Sequence, residues 1–272
     1  MVNEVLSPIS PESAMSMIQS STLTVGHGAQ SRPIAVAQRP GTAPGLFWLG
    51  GFRSDMAGSK AMALDALGED RGFAVTRFDY SGHGISGGQF DDGTISRWLE
   101  EAEAVFATTS GTQIVIGSSM GGWLALLLVK ALLARGDNRV QGIVLIAPAV
   151  DMTSDLMLPG FTPQEHESLQ NNGFVDQPSE YSDTPYRLTR GLIEDGARHS
   201  LFGAVIETGC PVTILQGGQD PDVPQAHAIK LVTHLLHDPV TLTLIPDGDH
   251  RLSRPEDLAR LRDAVLRLVE AH

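Results

Sequence analysis

The sequence Gly117-Ser118-Ser119-Met120-Gly121 joins two apolar segments and places a serine between two glycines. An apolar run over residues 113–116 precedes it and another over 123–129 follows it, a pattern typical of a strand that turns directly into a helix. In such a G-x-S-x-G turn the middle serine has a strained backbone that exposes its hydroxyl, and the flanking glycines avoid Cβ collisions. The alternative is an ordinary glycine-serine turn between two elements. The sequence predicts Ser119 as a nucleophile.

The overall composition is typical of a globular enzyme with an acidic surface. Of the 272 residues, 42% are hydrophobic and 19% are charged, which is ordinary for such a protein. The formal net charge is −13. Nucleic acids and anionic membranes bind basic surfaces, so this charge argues against both as partners.

Cysteine content and the N-terminal sequence bear on the cellular compartment. The single cysteine, Cys210, cannot form an internal disulfide, which fits a reducing environment. No lysine or arginine precedes Arg32, whereas signal and transit peptides are basic. The longest uncharged apolar stretch, residues 120–129, is too short to span a bilayer. We therefore expect a cytoplasmic protein without a membrane span.

Predicted strands and helices alternate along most of the chain. Residues 1–20 are predicted to be a loosely attached arm, and residues 21–272 a single domain that begins with a β-hairpin. From Leu46 onward strands alternate with helices, and the almost wholly apolar segment 140–146 is typical of a strand buried on both faces. This alternation predicts an α/β fold with a parallel sheet and helices on both of its faces.

The alternation fails over residues 151–198, which are rich in Pro, Gly, Asn and acidic residues. Only short helices, at 163–170 and 185–193, are predicted there. An excursion of this length between two strands is usually functional, so we expect a lid over the strand ends. Its apolar residues either line an acyl-chain site or form the small core of the lid: Leu156, Met157, Leu158 and Phe161.

A serine nucleophile needs a base to remove its proton and a third group to orient that base. In α/β proteins these residues follow the serine in the order acid, then histidine. His250, on a Gly/Asp turn after an apolar strand, is the predicted base, and Asp220, at another strand end, is the predicted acid. Asp151 is an alternative acid, and Asp222 is better suited to cap the next helix.

Two backbone N–H groups must stabilise the oxyanion that forms during acyl transfer. Met120, directly after the nucleophile, is predicted to supply one of them. Phe52, in the loop after the predicted strand 46–49, is predicted to supply the other, and its ring could line an acyl pocket. Arg53 and Lys60 follow closely and are expected at the surface, with contact to substrate as an alternative for Arg53.

Three further patterns concern cofactors, metals and helix ends. Residues 82–87 match the dinucleotide-binding motif G-x-G-x-x-G, but loop residues follow where that motif should open a helix. His227 and His234 are seven residues apart on a helix predicted over 225–236, but no carboxylate completes a metal-ligand set, so an exposed stripe is favoured. No cofactor and no metal are therefore predicted. Ser253-x-x-Glu256 is predicted to form a capping box on the last helix.

Together the motifs resemble those of the α/β-hydrolase superfamily, from about residue 21 to the end of the chain. The segment Asp79-Tyr-Ser-Gly-His-Gly-Ile-Ser86 matches its D-x-x-G-x-G-x-S loop, and Gly217-x-x-Asp220 and Gly248-Asp-His250 match its acid and base signatures. The resemblance implies an α/β-hydrolase fold: a mostly parallel eight-stranded sheet with helices on both faces, a small lid and a Ser119–Asp220–His250 triad.

Residues 77–82, 117–123 and 249–251 resemble one branch of that superfamily, the mitochondrial palmitoyl-protein thioesterase that also cleaves mycophenolic acid acyl-glucuronide. This similarity implies a serine hydrolase that cleaves carboxylic esters or thioesters through an acyl-enzyme, with a small-molecule or acylated substrate. Two alternatives remain open. One is other chemistry on the same scaffold, such as peptide or C–C bond hydrolysis, and the other is a non-catalytic, hydrolase-like binding protein. No oligomeric state follows from the sequence.

Overall fold

A mostly parallel β-sheet of eight strands forms the centre of the protein. The computed structural model describes residues 17–177 and 185–271. The strands of this part of the chain are β1 (Gln19–Val25), β2 (Arg32–Arg39), β3 (Thr42–Leu49), β4 (Phe73–Phe78), β5 (Gln113–Ser118), β6 (Val140–Ile146), β7 (Phe174–Gln177), β8 (Tyr186–Thr189), β9 (Val212–Gly217) and β10 (Val240–Ile245). The central sheet has the order β1-β2-β4-β3-β5-β6-β9-β10, while β7 and β8 form a separate hairpin.

Helices cover both faces of this sheet, which confirms the predicted fold class. They are α1 (Ser59–Arg71), α2 (Ile95–Phe106), α3 (Met120–Ala134), α4 (Leu158–Gly160), α5 (Pro163–Asn171), α6 (Arg190–Arg198), α7 (Gln225–Val232) and α8 (Pro255–Glu270). Helices α2, α3 and α7 contribute buried side chains to one hydrophobic core. Helices α1 and α8 contribute to a second core on the opposite face. The strands between the two cores are therefore buried on both sides, which explains their continuous apolar sequences.

The side chains of β3 show how one strand serves both cores. Phe47 and Leu49 belong to the core with α2 and α3, whereas Leu46 and Trp48 belong to the core with α1 and α8. Successive residues of a strand point to opposite faces, so alternate side chains enter different cores.

Strand direction changes only at the β1–β2 side of the sheet. β1 pairs antiparallel with β2, and β2 pairs antiparallel with β4. All other neighbours in the central sheet are parallel. The predicted hairpin is present, but β1 already begins at Gln19, within the segment predicted as an arm. Residues 1–16 of that arm lie outside the described residues.

Between β6 and β9 the chain leaves the sheet and forms a small separate unit. It contains a π-helical turn at Thr153–Met157, then α4, α5, the β7–β8 hairpin and α6. The predicted helix over 185–193 begins instead as strand β8, and α6 starts only at Arg190. The reason is local: the Thr189 hydroxyl accepts a hydrogen bond from the Leu192 N–H and caps α6 at that point.

The excursion between β6 and β9, here called the insertion, has its own core and is attached to the main domain. Met157, Leu158 and Phe161 pack against the insertion core of Leu169, Val175 and Ile193. Leu156, Met157 and Phe161 pack against the core that contains α2 and α3, to which Leu188 and Leu192 of the insertion also belong.

A polar contact adds to this apolar attachment and runs from α6 to the first turn of α2. The carboxylate of Asp195 accepts hydrogen bonds from the N–H and the hydroxyl of Ser96.

Two predictions for the C-terminal helices are wrong. Helix α8 begins at Pro255, and Arg254 is its N-cap without a side-chain cap, so Ser253 and Glu256 form no capping box there. The residue before a proline avoids helical geometry, which moves the start of the helix past Ser253. A capping box occurs instead at α5, between Thr162 and Glu165. Helix α7 ends at Val232, so His234 lies beyond it.

The single cysteine lies just before β9 and is part of the hydrophobic core. The side chain of Cys210 is 5% exposed. Burial raises the pKa of its thiol to about 11, because the thiolate would lose hydration there. The residue therefore acts as a small apolar side chain.

Candidate active site

Ser119 occupies a strained turn between β5 and α3. Its backbone has φ 54° and ψ −120°, a conformation that costs a non-glycine residue about 1–3 kcal/mol. Neighbouring backbone holds the turn in place: the Ser119 N–H donates to Ile146 O at 2.8 Å, and its carbonyl accepts from the Gly122 and Ala149 N–H groups. The turn directs the Ser119 side chain toward the carboxyl ends of the strands.

The two glycines of the motif are required by close backbone contacts. A Cβ atom on Gly117 would lie 2.2 Å from Gly121 O. A Cβ atom on Gly121 would lie 2.1 Å from Leu49 O, at the end of β3. Only glycine fits at either position, which is why the pattern G-x-S-x-G identified this turn.

The structure brings Ser119 and His250 into hydrogen-bond contact across 131 positions of sequence. His250 follows β10, and its Nε2 lies 3.1 Å from Ser119 Oγ. Its Nδ1 lies 2.9 Å from Asp220 Oδ2. A carboxylate can only accept, so Nδ1 carries the proton and Nε2 is free to accept the serine proton. The chain of three groups can therefore move a proton from the hydroxyl to the imidazole.

Asp220, the predicted acid, is held rigidly behind His250. Its side chain is fully buried, while that of His250 is 23% exposed. Asp220 Oδ1 accepts hydrogen bonds from the Asp222 and Val223 N–H groups at 2.9 and 2.8 Å. Gln216 Nε2 lies 3.2 Å from Asp220 Oδ2 and also bonds the Val223 carbonyl. This supporting role of Gln216 was not predicted, because a glutamine at a strand end has no distinctive motif.

The other two aspartates occupy different positions. The Asp151 carboxylate accepts hydrogen bonds from the Ser200 hydroxyl and from the Leu201 and Phe202 N–H groups, so it binds the chain where it returns from the insertion. Asp222 does not cap α7, whose N-cap is Pro224. The exposed Asp222 carboxylate lies instead beside Asp220 and His250, with one ligand atom of each residue within 4.8 Å of the others.

The loop after β3 packs directly on the Ser119 turn. A Cβ atom on Gly51 would lie 3.3 Å from Ser119 Cβ. Among the described residues, no hydrogen bond uses the N–H of Phe52. Met120 is the first residue of α3, so its N–H has no helical partner. Both N–H groups predicted for the oxyanion are thus free of backbone partners in this part of the chain.

Aromatic side chains surround this loop. The Phe52 ring contacts the rings of Phe90, Trp98 and Tyr186, with centroids 5.0 to 6.1 Å apart. The Arg53 guanidinium lies between Phe90 and Tyr186, 5.1 Å from each centroid. Tyr186 belongs to β8, so the insertion contributes one wall beside the predicted oxyanion loop.

Lys60 supports the turn that carries His250. Its ammonium group donates a hydrogen bond to the Arg251 carbonyl, directly after His250. Burial lowers the pKa of Lys60 to about 8, since its charge is poorly hydrated there. The side chain remains partly exposed, so this contact is compatible with the predicted surface position.

Gly84, in the segment 82–87, makes room for the carboxylate of Asp79. The Asp79 carboxylate accepts from the Met56 and Ile85 N–H groups. A Cβ atom on Gly84 would lie 2.0 Å from Asp79 Oδ2. The glycine at position 84 is thus explained by the close approach of Asp79.

The histidines considered as metal ligands have other partners. His227 Nε2 bonds the Val150 carbonyl, and His234 Nε2 bonds the Phe202 carbonyl. His227 is buried, so the predicted exposed stripe is wrong at that position. Within residues 17–177 and 185–271, the group of possible ligands that does converge is Asp220, Asp222 and His250. Two of these three already bond one another.

A wide surface groove lies away from these residues. It has a volume of about 640 Å³ and runs beside the β1–β2 hairpin and the start of α2. None of Ser119, Asp220 and His250 lines it. The bonded side chains, rather than this depression, therefore locate the candidate site.

Comparisons with known proteins bear on the family of the chain. The model of a family described as "Alpha/beta hydrolase family" matches residues 40–261. The chain is 32% identical over 239 residues to "Palmitoyl-protein thioesterase ABHD10, mitochondrial" of Bos taurus, covering 85% of this chain and 76% of that protein. Among solved structures it is similar to a putative hydrolase from Agrobacterium vitis S4, with a TM-score of 0.90, 52% identity, and coverage of 93% and 99%. Alpha/beta hydrolase domain-containing protein 10 from mouse has a TM-score of 0.81 and 27% identity, with the same coverage.

The predicted cytoplasmic location is wrong by these comparisons. The five curated relatives, which are 30% to 32% identical, are all named as mitochondrial proteins. The prediction relied on the lack of a basic N-terminal segment and on the single cysteine, and neither observation distinguishes between reducing compartments. Within the described residues, no helix combines the length and the apolar character required to cross a membrane.

Proposed function

Because the chain belongs to the α/β-hydrolase family, we propose that it is a serine hydrolase that cleaves carboxylic esters or thioesters. Family membership supports hydrolase activity in general. The finer proposal concerns the nucleophile, the bond that is cleaved and the roles of individual residues. The observation that carries it is the hydrogen-bonded chain from Ser119 through His250 to Asp220, with distances of 3.1 and 2.9 Å.

In the proposed reaction, His250 Nε2 takes the proton of Ser119 as its Oγ attacks the acyl carbon. The Phe52 and Met120 N–H groups donate to the oxyanion of the tetrahedral intermediate. The Asp220 carboxylate stabilises the positive charge on the imidazolium. His250 then gives the proton to the leaving alcohol or thiol, and water repeats both steps to release the acid from the acyl-enzyme.

The substrate class follows from the surroundings of the serine and from the relatives. The Phe52, Phe90 and Tyr186 rings present apolar surface beside the proposed oxyanion loop, which suits the acyl part of a substrate. The curated relatives are named palmitoyl-protein thioesterases. We therefore place acyl thioesters and esters with apolar acyl groups first among candidate substrates, with the insertion acting as a lid over them.

The central test combines a substrate panel with replacement of Ser119. Nitrophenyl esters and acyl thioesters of increasing chain length should be hydrolysed by the wild type, with preferences set by the acyl pocket. Ser119→Ala should lower kcat by roughly 10⁶, because no nucleophile remains. Steady-state kinetics on purified, folded protein measures the chain-length preference of the wild type and the loss of kcat in the variant. Turnover by the variant above about 1% of wild type would contradict the assignment of Ser119.

Labelling provides a second measurement that needs no substrate. A fluorophosphonate should modify Ser119 in the wild type, and peptide mass spectrometry should locate the adduct. Ser118→Ala is a matched control, since the neighbouring hydroxyl lies in β5 and makes no bond to His250 among the described residues. It should keep both the labelling and the activity. An unlabelled wild type would favour the non-catalytic alternative.

A further inference from the structure

His83 lies behind the proposed oxyanion loop and is not part of the Ser119–His250–Asp220 chain. Its side chain is 4% exposed and is surrounded by the rings of Tyr80, Phe90 and Trp98, with centroids 5.2 to 5.7 Å away. A buried histidine needs hydrogen-bond partners for both ring nitrogens. Those partners are two backbone groups from different loops.

The two partners fix the tautomer of His83. Its Nδ1 lies 3.2 Å from the Ser81 carbonyl, which can only accept, so Nδ1 carries a proton. The Arg53 N–H donates to Nε2 at 3.1 Å, so Nε2 is unprotonated. The ring is therefore neutral, and a second proton on Nε2 would oppose the Arg53 N–H.

The Arg53 backbone is held in an unfavourable conformation at this bond. Its φ is 59°, in the left-handed region that non-glycine residues rarely occupy. The bond to His83 compensates part of this strain and sets the direction of the peptide that follows Phe52. Phe52 is the residue immediately before, and its N–H is one of the two proposed oxyanion donors.

We propose that His83 is a positioning residue, which acts through the Arg53 N–H to hold the Phe52 N–H in line with the oxyanion. The proposal rests on the proposed serine hydrolase function. His83 touches no substrate and transfers no proton. It fills the space behind the loop and supplies one acceptor, so that the donor is already in place when the oxyanion forms.

The experiment replaces the acceptor while keeping the volume of the side chain. His83→Leu and His83→Phe remove the acceptor, and phenylalanine suits the aromatic surroundings. His83→Gln keeps an acceptor oxygen at about the reach of Nε2. His27→Leu is the matched control, because His27 is exposed and its side chain forms no capping bond. Each variant is measured for kcat, KM, thermal unfolding and affinity for a boronic acid that mimics the tetrahedral intermediate.

We expect His83→Leu and His83→Phe to lower kcat roughly tenfold to a hundredfold, somewhat less than complete removal of one oxyanion donor. KM should change by less than about threefold, because the oxyanion contact is made mainly in the transition state. The affinity for the boronic acid should fall by the same factor as kcat/KM. His83→Gln should recover most of both losses, and His27→Leu should match the wild type.

Three results would overturn the proposal. They are a kcat of both apolar variants within about twofold of wild type, a loss that appears only in KM, and unchanged affinity for the boronic acid. A purely structural role would lower the thermal stability without separating kcat from KM. Failure of the proposed function is distinguishable, because the wild type would then lack activity that depends on Ser119.

Discussion

At the scale of single residues, the site combines one strained serine with an aspartate that several hydrogen bonds hold in place. Ser119 is held by three backbone hydrogen bonds, and Asp220 is held by two N–H groups and by Gln216. Such preorganisation is what a proposed acyl transfer requires, since the groups need not reorient as charge develops.

Asp220 and Asp151 are distinguished by paired substitutions. Asp220→Asn should lower kcat by roughly 10⁴, because an amide favours the wrong tautomer of His250. Asp151→Asn should leave the kcat of folded enzyme near wild type but lower the free energy of unfolding by about 1–3 kcal/mol, since it loses acceptor capacity for the chain at residues 200–202. Steady-state kinetics and urea unfolding separate the two. The reverse pattern would assign the acid to Asp151.

The protonation of His83 should make the stability of the protein depend on pH. Burial, with a smaller effect from Arg53, lowers the pKa of His83 from 6.5 to about 4, so the unfolded chain binds this proton more tightly than the folded protein. The contribution of neutral His83 to the free energy of unfolding is therefore complete above pH 6.5 and is lost as the pH falls toward 4.

Denaturant unfolding tests this effect. Relative to His83→Gln, the wild type should lose about 3 kcal/mol of unfolding free energy between about pH 7 and pH 4. Equal pH profiles of the two proteins would show that His83 is protonated as readily in the folded state as in the unfolded chain.

At the scale of elements, the contact between β3 and the start of α3 explains the glycine at position 121. Gly121→Ala should destabilise the protein by about 3 kcal/mol, because the new Cβ would lie 2.1 Å from Leu49 O and must displace backbone. Gly160→Ala is the matched control, since nothing lies within 4 Å of a Cβ there. Thermal and urea unfolding should show a loss for the first variant and little change for the second.

The insertion is attached to the domain through a polar contact that can be measured. Asp195→Ala removes the acceptor for the N–H and hydroxyl of Ser96 at the start of α2. We expect the free energy of unfolding to fall by about 1–2 kcal/mol and hydrogen exchange to become faster in the insertion. Asp176→Ala, which breaks the exposed pair with Arg187 in the same insertion, should change the free energy of unfolding much less, because solvent screens that pair. Similar effects of the two variants would argue against the attachment.

The elements of the sheet could be predicted because each has a strong local pattern. Buried strands have continuous apolar sequences, and the turn at Ser119 carries glycines that its backbone contacts require. The insertion was predicted less well. Its β7–β8 hairpin depends on pairing between Phe174–Gln177 and Tyr186–Thr189, and both strands are too short to show a period.

At the scale of the whole molecule, the candidate site residues could be predicted from the sequence because parallel strands of one sheet end at the same edge. Ser119, Asp220 and His250 each follow a strand of the same sheet, and motif spacing indicated all three. Lys60 and His83 bond backbone groups that are distant in sequence, so no local pattern identified their contacts. Gln216 bonds nearby groups, but a glutamine at a strand end has no distinctive motif. Compartment was predicted wrongly, because it depends on cellular sorting rather than on the packing of the fold.

The burial of Cys210 makes the protein suitable for site-specific labelling at introduced cysteines. Its only native thiol is enclosed and protonated at neutral pH, so maleimides and iodoacetamide should find almost nothing to alkylate in the folded state. A cysteine introduced at any exposed position would then carry a fluorophore or spin label alone, without prior removal of the native one. Movements of the insertion relative to the sheet can thus be followed by spectroscopy in an otherwise unaltered chain.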